Sequence, residues 1–191
     1  MTVTLTINGE AKRLDVAPTD SLLDVLRRAG YVGAKRGCDD GACGACAVLI
    51  NGVLINSCTR LAVQCDGAHI VTIEGMGSPA RLHPLQKAFI EHGAIQCGYC
   101  TPGMVMAAAA LLAEHPDPTE EQVRDALAGV LCRCTGYKKP VEAVLAAAQA
   151  WGVKALPQGR NWLQLPDGLA VELIQAAPES VAQALAVKPR A

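Results

Sequence analysis

The chain has 191 residues, 51% of them hydrophobic and 18% charged, with a formal net charge of −1 at pH 7; this suits one or two folded domains and excludes an intrinsically disordered chain. No run of Lys or Arg exceeds two residues, so the basic footprint of a nucleic-acid binder is absent. The longest apolar stretch, Met104 to Ala113, is half the roughly 20 residues that a membrane span needs, and no membrane span is expected. The N-terminus MTVTLTINGE has neither a basic nor an apolar signal region, which points to the cytoplasm.

Residues 3–7 alternate in polarity, Asn8-Gly9 is a type I′ turn signal, and Arg13 to Val16 resumes the extended pattern, predicting an opening β-hairpin. Asp20 or Ser21 can cap a helix carrying Leu22, Leu23, Val25 and Leu26, with Gly30 placed to end it. The stretch Gly33 to Gly44 is too rich in glycine for regular structure. Ala47 to Ile50, Asn51-Gly52 and Val53 to Asn56 predict a second hairpin, and Ile70 to Ile73 a further strand.

After the breaker cluster Gly75 to Pro79 the hydrophobic period changes from about two to about 3.6. Four helices are predicted. Leu85, Ala88, Phe89 and Ile90 populate the first, begun near Pro84. Thr101 caps the second, with Pro102 at its first position and its end near Glu114. Thr119 and Gln122 form a capping box before Val123, Ala126, Leu127 and Val130, and a fourth helix covers roughly 139–150. The expected domains are 1–77 and 78–150. The remaining 151–191 lacks enough periodic surface for its own core, so it either docks on the body or a neighbouring subunit, or is disordered.

The chain has nine cysteines. In a reducing compartment clustered cysteines hold metal or do redox chemistry more often than they form disulfides. Cys38, Cys43, Cys46 and Cys58 have the plant-type [2Fe–2S] spacing C-x4-C-x2-C-x11-C. Gly37, Gly41 and Gly44 give this loop the freedom to curl with N–H groups facing sulfur. Zinc is the competing reading, but three cysteines crowded on one loop argue against it. The adjacent Lys35, Arg36, Asp39 and Asp40 read as ordinary solvated charges.

Cys97, Cys100, Cys132 and Cys134 form C-x2-C-x31-C-x-C. The first pair alone also fits a thioredoxin-like dithiol; the distant second pair favours a metal centre instead. Spacing leaves zinc open beside iron–sulfur here. Cys65 lies outside both sets and reads as a small buried hydrophobe. His69, His83, His92 and His115 are scattered singly and read as surface or helix-end residues.

The segments GCDDGACGACAVLINGVLINSC, AIQCGYCTPGMVM and LCRCTGY, in this order, closely resemble the iron–sulfur subunit of molybdenum hydroxylases, the xanthine oxidase/aldehyde oxidoreductase family, over about residues 1–150. The resemblance implies an α+β chain: a plant-ferredoxin-like β-grasp domain and a C-terminal four-helix-bundle domain, each carrying one [2Fe–2S] cluster. It implies a molybdenum-binding large subunit, commonly an FAD-binding medium subunit, and contact of Gln96 and Cys134 with the molybdopterin of the large subunit. Without that resemblance, Gln96 reads as a helix-end hydrogen-bonding residue. The implied function is electron relay from the molybdenum centre through the helical-domain cluster, then the β-domain cluster, to FAD or another acceptor.

No nucleotide loop, nucleophile elbow or His-Glu-x-x-His motif is present, so substrate chemistry is expected on another subunit. Two alternatives stand beside this reading: a stand-alone two-cluster ferredoxin-type carrier, and a zinc-stabilised scaffold. The low charge disfavours the shuttle, because transient encounters are commonly steered by charge.

Overall fold

The computed structural model describes residues 1–151 and, beyond them, the three short strands Lys154–Ala155, Trp162–Gln164 and Ala170–Glu172. Side chains are described through residue 150. The expectation that 151–191 covers the body or a partner therefore falls largely outside the described residues.

Strands β1 (Thr2–Ile7) and β2 (Glu10–Asp15) pair antiparallel across Asn8-Gly9, whose φ values of 53° and 86° are those of a type I′ turn. Alternation sends Val3, Leu5 and Ile7 inward. Helix α1 (Leu22–Arg28) starts at a Ser21/Asp24 capping box and buries Leu22, Leu23, Val25 and Leu26 against the sheet. Strands β3 (Ala47–Ile50) and β4 (Val53–Asn56) repeat the Asn-Gly device. With β5 (His69–Val71) they complete a five-stranded mixed sheet of order β2-β1-β5-β3-β4, in which β1 and β5 run parallel.

The predicted strand 70–73 ends earlier. Thr72 is fully buried and bonded to the hairpin turn: its N–H donates to Asn8 Oδ1 at 2.9 Å, and Asn8 Nδ2 donates to its hydroxyl at 3.0 Å. The Thr72 hydroxyl donates to Glu74 (2.6 Å), whose other oxygen accepts from the Gly33 N–H (2.7 Å). These bonds divert the chain into a one-turn helix, α2 (Ile73–Met76), so Ile73 is helical instead of extended.

The helical half comprises α3 (Pro84–Glu91), α4 (Thr101–Glu114), α5 (Glu120–Ala128) and α6 (Lys138–Trp151). Its core gathers Leu85, Phe89, Met104, Val105, Leu127 and Val144. Ile90 is not in it: α3 buries the stripe of Leu85, Ala88 and Phe89, and leaves Ile90 57% exposed. Helix α4 begins one residue before its predicted start, because Cys100 is already αR and its carbonyl accepts from Met104 N–H at 3.0 Å. Pro102 thus stands at the second helical position, where no intrahelical N–H bond is lost. Strands β6 (Lys154–Ala155), β7 (Trp162–Gln164) and β8 (Ala170–Glu172) pair antiparallel in chain order.

The halves share a packed seam. Met106 of α4 is fully buried against Ala47 and Leu49 of β3.

Candidate metal centres

Three thiols of the first set, Cys38, Cys43 and Cys46, hang on the irregular segment between α1 and β3. Arg27 Nη1 fastens the segment by donating to the carbonyls of Val32 (3.0 Å) and Ala34 (2.8 Å). Arg36 is ion-paired to both Asp24 on α1 and Asp39 in the loop, while Lys35 Nζ donates to Val32 O. These exposed charges are not merely solvated, as expected from sequence; they brace the loop. Left-handed φ values at Gly41 (84°) and Gly44 (66°) curl it. Cys46 precedes β3 and Cys58 follows β4; the buried Ser57 hydroxyl donates to Cys46 O at 2.7 Å and ties the two together.

Backbone N–H groups face the sulfurs. Those of Cys43 and Asp40 hold the Cys38 thiol below its ordinary range. Burial pushes the Cys58 thiol up to about 12, with the Cys46 thiol beside it adding to the effect and the Gly41 N–H opposing it. Burial also raises Cys43, opposed by the Ala45 N–H. The glycine before the first cysteine is there for space: a Cβ on Gly37 would lie 2.8 Å from Cys43 Sγ.

The second set joins two helix ends. Cys97 and Cys100 flank Gly98 (φ 81°) and Tyr99, with Cys100 as the residue capping α4. Cys132 and Cys134 follow α5, and Cys97 Sγ lies 3.6 Å from Cys134 Sγ. Burial works against a Cys132 thiolate, but the Thr135 hydroxyl (3.1 Å) and N–H (3.4 Å) outweigh it and bring the thiol down to about 7. Burial pushes Cys100, which neighbours Cys132, up to about 12. The Cys132 N–H donates to Tyr137 Oη, which donates onward to Val130 O. Cys97 and Cys134 are exposed, in contrast to the buried Cys46 and Cys58.

Within each set the thiols neighbour one another: Cys38, Cys43, Cys46 and Cys58 in the first, and Cys97, Cys100, Cys132 and Cys134 in the second. Among the described residues, no group of three or more Cys, His, Asp or Glu is arranged to hold a single metal ion. Four thiols per set with N–H groups directed at sulfur suit a two-iron cluster. All nine cysteines are unpaired. Cys65 stands apart in the β-half core, its thiol donating to Leu61 O at 3.5 Å and raised by burial.

The two loops touch. Leu131, next to Cys132, donates its N–H to Cys43 O at 2.9 Å, and Tyr99 Oη donates to Arg36 O at 2.5 Å. Backbones meet beside the first of these bonds, since a Cβ on Gly44 would lie 2.1 Å from Gly129 O and one on Gly103 2.6 Å from Gly44 O. None of Tyr99, Gly103, Gly129 and Leu131 stands out as a site residue from sequence. Gln96 is exposed and its side chain makes no hydrogen bond within the described residues, contrary to the helix-end alternative. His83, His92 and His115 do stand at helix ends, and His69 lies in β5.

A fold of this kind with two such thiol sets defines a two-cluster iron–sulfur protein. Residues 5–66 match the family of 2Fe-2S iron-sulfur cluster binding domains and residues 72–145 that of [2Fe-2S] binding domains. The chain is 47% identical over 150 residues to the nicotinate dehydrogenase small FeS subunit of Eubacterium barkeri, covering 78% of this chain and 96% of that one. It is 43% identical to the aldehyde oxidoreductase iron-sulfur-binding subunit of Escherichia coli K12, covering 78% and 72%. Quinoline 2-oxidoreductase from Pseudomonas putida 86 superposes with a TM-score of 0.76 at 44% identity, covering 78% of this chain and 94% of that one. The chain belongs to the iron–sulfur, electron-transfer subunits of the molybdenum hydroxylases and binds two [2Fe–2S] clusters. Among the described residues no helix is long and apolar enough to cross a membrane.

Proposed function

We propose that Cys38, Cys43, Cys46 and Cys58 hold one [2Fe–2S] cluster and Cys97, Cys100, Cys132 and Cys134 the other, in domains spanning about 1–77 and 78–150. The observation that supports this is the gathering of eight thiols into two four-membered sets. Bound there, each cluster supplies a one-electron site, and the pair makes the chain a relay between a molybdenum centre and an acceptor. The chain's part is placement. Its N–H groups offset the charge on sulfur, its glycines admit close approach, and its seam fixes one loop against the other.

The exposed set is the one that meets the catalytic partner. Cys97 and Cys134 lie at the surface, with Leu131 59% and Ile95 38% exposed nearby in sequence, which suits burial under a molybdenum-binding large subunit. We assign Gln96, exposed in the segment that leads to Cys97, to hydrogen-bond a pterin carried by that subunit, with Cys134 as the contacting thiol. The β-half set then serves the outlet, to an FAD-bearing subunit or another acceptor. The names of the relatives cover nicotinate, aldehydes and quinoline, so the substrate of the complex belongs to the large subunit. Nine cysteines kept as thiols favour work in the reducing cytoplasm.

Iron analysis of the full chain tests the assignment: about four irons per chain and two distinct paramagnetic signals on reduction are expected. Cys134→Ala should lose the helical-half signal and keep the other. Iron near two in the parent, or equal loss of both signals in the variant, overturns it.

A further inference from the structure

The seam between the two cluster loops has contacts of two kinds. In the first, Cys43 O accepts from Leu131 N–H, and the backbones of Gly44, Gly103 and Gly129 are in such close contact that no Cβ fits at Gly44 or Gly103. These are backbone-to-backbone contacts. The second kind is a side-chain contact: Tyr99, between Cys97 and Cys100, donates its hydroxyl to Arg36 O, two residues before Cys38. Its ring also closes over Gly37, where a Cβ would lie 3.6 Å from Tyr99 Cε1 and 2.8 Å from Cys43 Sγ.

The acceptor is itself anchored, since the Arg36 guanidinium is paired to Asp24 on α1 and Asp39 in the loop. Met106 against Ala47 and Leu49 holds the helical half on the sheet; the Tyr99 bond, on a braced anchor, adds a hold on the cluster loops themselves. Tyr99 is 47% exposed, so the hydroxyl is not needed to satisfy a buried group, and the core of each half is complete without it.

We propose that Tyr99 is a positioning residue that locks the orientation of the two cluster loops, and so of the two redox sites, through its bond to Arg36 O. This rests on the two-cluster reading above and adds to it a residue outside both thiol sets.

The test uses the full chain, purified in its own complex, with Tyr99→Phe and Tyr99→Ala. The readouts are the magnetic splitting between the two reduced clusters and hydrogen exchange at the Leu131 amide. Both variants should retain about four irons. Tyr99→Phe should replace a sharp splitting by a broad distribution and raise Leu131 exchange by about two- to tenfold, the range that one lost hydrogen bond allows. Tyr99→Ala should do so more strongly. A Tyr99→Phe variant that matches the parent in both readouts overturns the hydroxyl lock, even if Tyr99→Ala differs. Failure of the two-cluster reading shows separately, as a parent with one signal or about two irons.

Discussion

Gly44→Ala tests how tightly the two halves are joined. Gly44 has φ of 66°, where an L residue is strained by about 1–2 kcal/mol. Its new Cβ would fall 2.1 Å from Gly129 O and 3.0 Å from Val130 Cα. These are backbone atoms, which cannot swing aside, so the seam must open at a cost of about 1–3 kcal/mol. Opening it also stretches the bond from Leu131 N–H to Cys43 O, worth about 0.5–1.5 kcal/mol. The total is about 2.5–6.5 kcal/mol. Gly52→Ala is the control: φ is 84°, yet nothing lies within 4 Å of a Cβ there, so only the strain of about 1–2 kcal/mol remains. Urea unfolding of the cluster-loaded full chain should therefore place Gly44→Ala below Gly52→Ala by about 1.5–4.5 kcal/mol. Equal destabilisation of the two variants would refute the reasoning, since the seam contact is all that separates them.

Gly37→Ala should lower iron from about four to about two per chain, with loss of the β-half signal, because the added methyl would lie 2.8 Å from Cys43 Sγ; full iron content would contradict this. Stability should also fall in mild acid through His83, whose imidazole burial pushes down to about 4 while its Nδ1 accepts from Leu85 N–H. The unfolded imidazole takes its proton near pH 6.5 and the folded one does not, so this contribution is complete above about 6.5 and is lost as pH falls toward 4. Allowing for partial exposure, the loss at pH 5 is about 1–2 kcal/mol. His83→Asn, which keeps a capping side chain, should unfold with a correspondingly flatter dependence between pH 7 and 5; parallel curves for parent and variant would remove His83 as the cause.

Local chemistry made much of the molecule legible. Asn8-Gly9 and Asn51-Gly52 specify their hairpins within two residues, and Thr119 with Gln122 closes a capping box within four. The grouping of the thiols was legible in their spacing, since Cys38, Cys43 and Cys46 share one short irregular segment and Cys97 and Cys100 another. What could not be read depends on distant neighbours. β5 stops at Val71 because Asn8, far away in sequence, holds Thr72. The glycines at 44, 103 and 129 look alike in a list of residues, and only the approach of the halves separates the first two, which cannot take a Cβ, from the third, which can. Tyr99 reads as a spacer between two ligands until Arg36 O is found under its hydroxyl.

The hydrogen bonds among Asn8, Thr72, Glu74 and the Gly33 N–H have a consequence for recombination. They fall where the chain passes from sheet to helices, so the junction is a splice held by three remote stretches and not a free tether. A chimera built from the β half of one relative and the helical half of another has to transplant Asn8, Gly33 and residues 72–75 as one set. A cut between residues 33 and 74 separates donors from their acceptors, whereas one after residue 77 leaves the set whole.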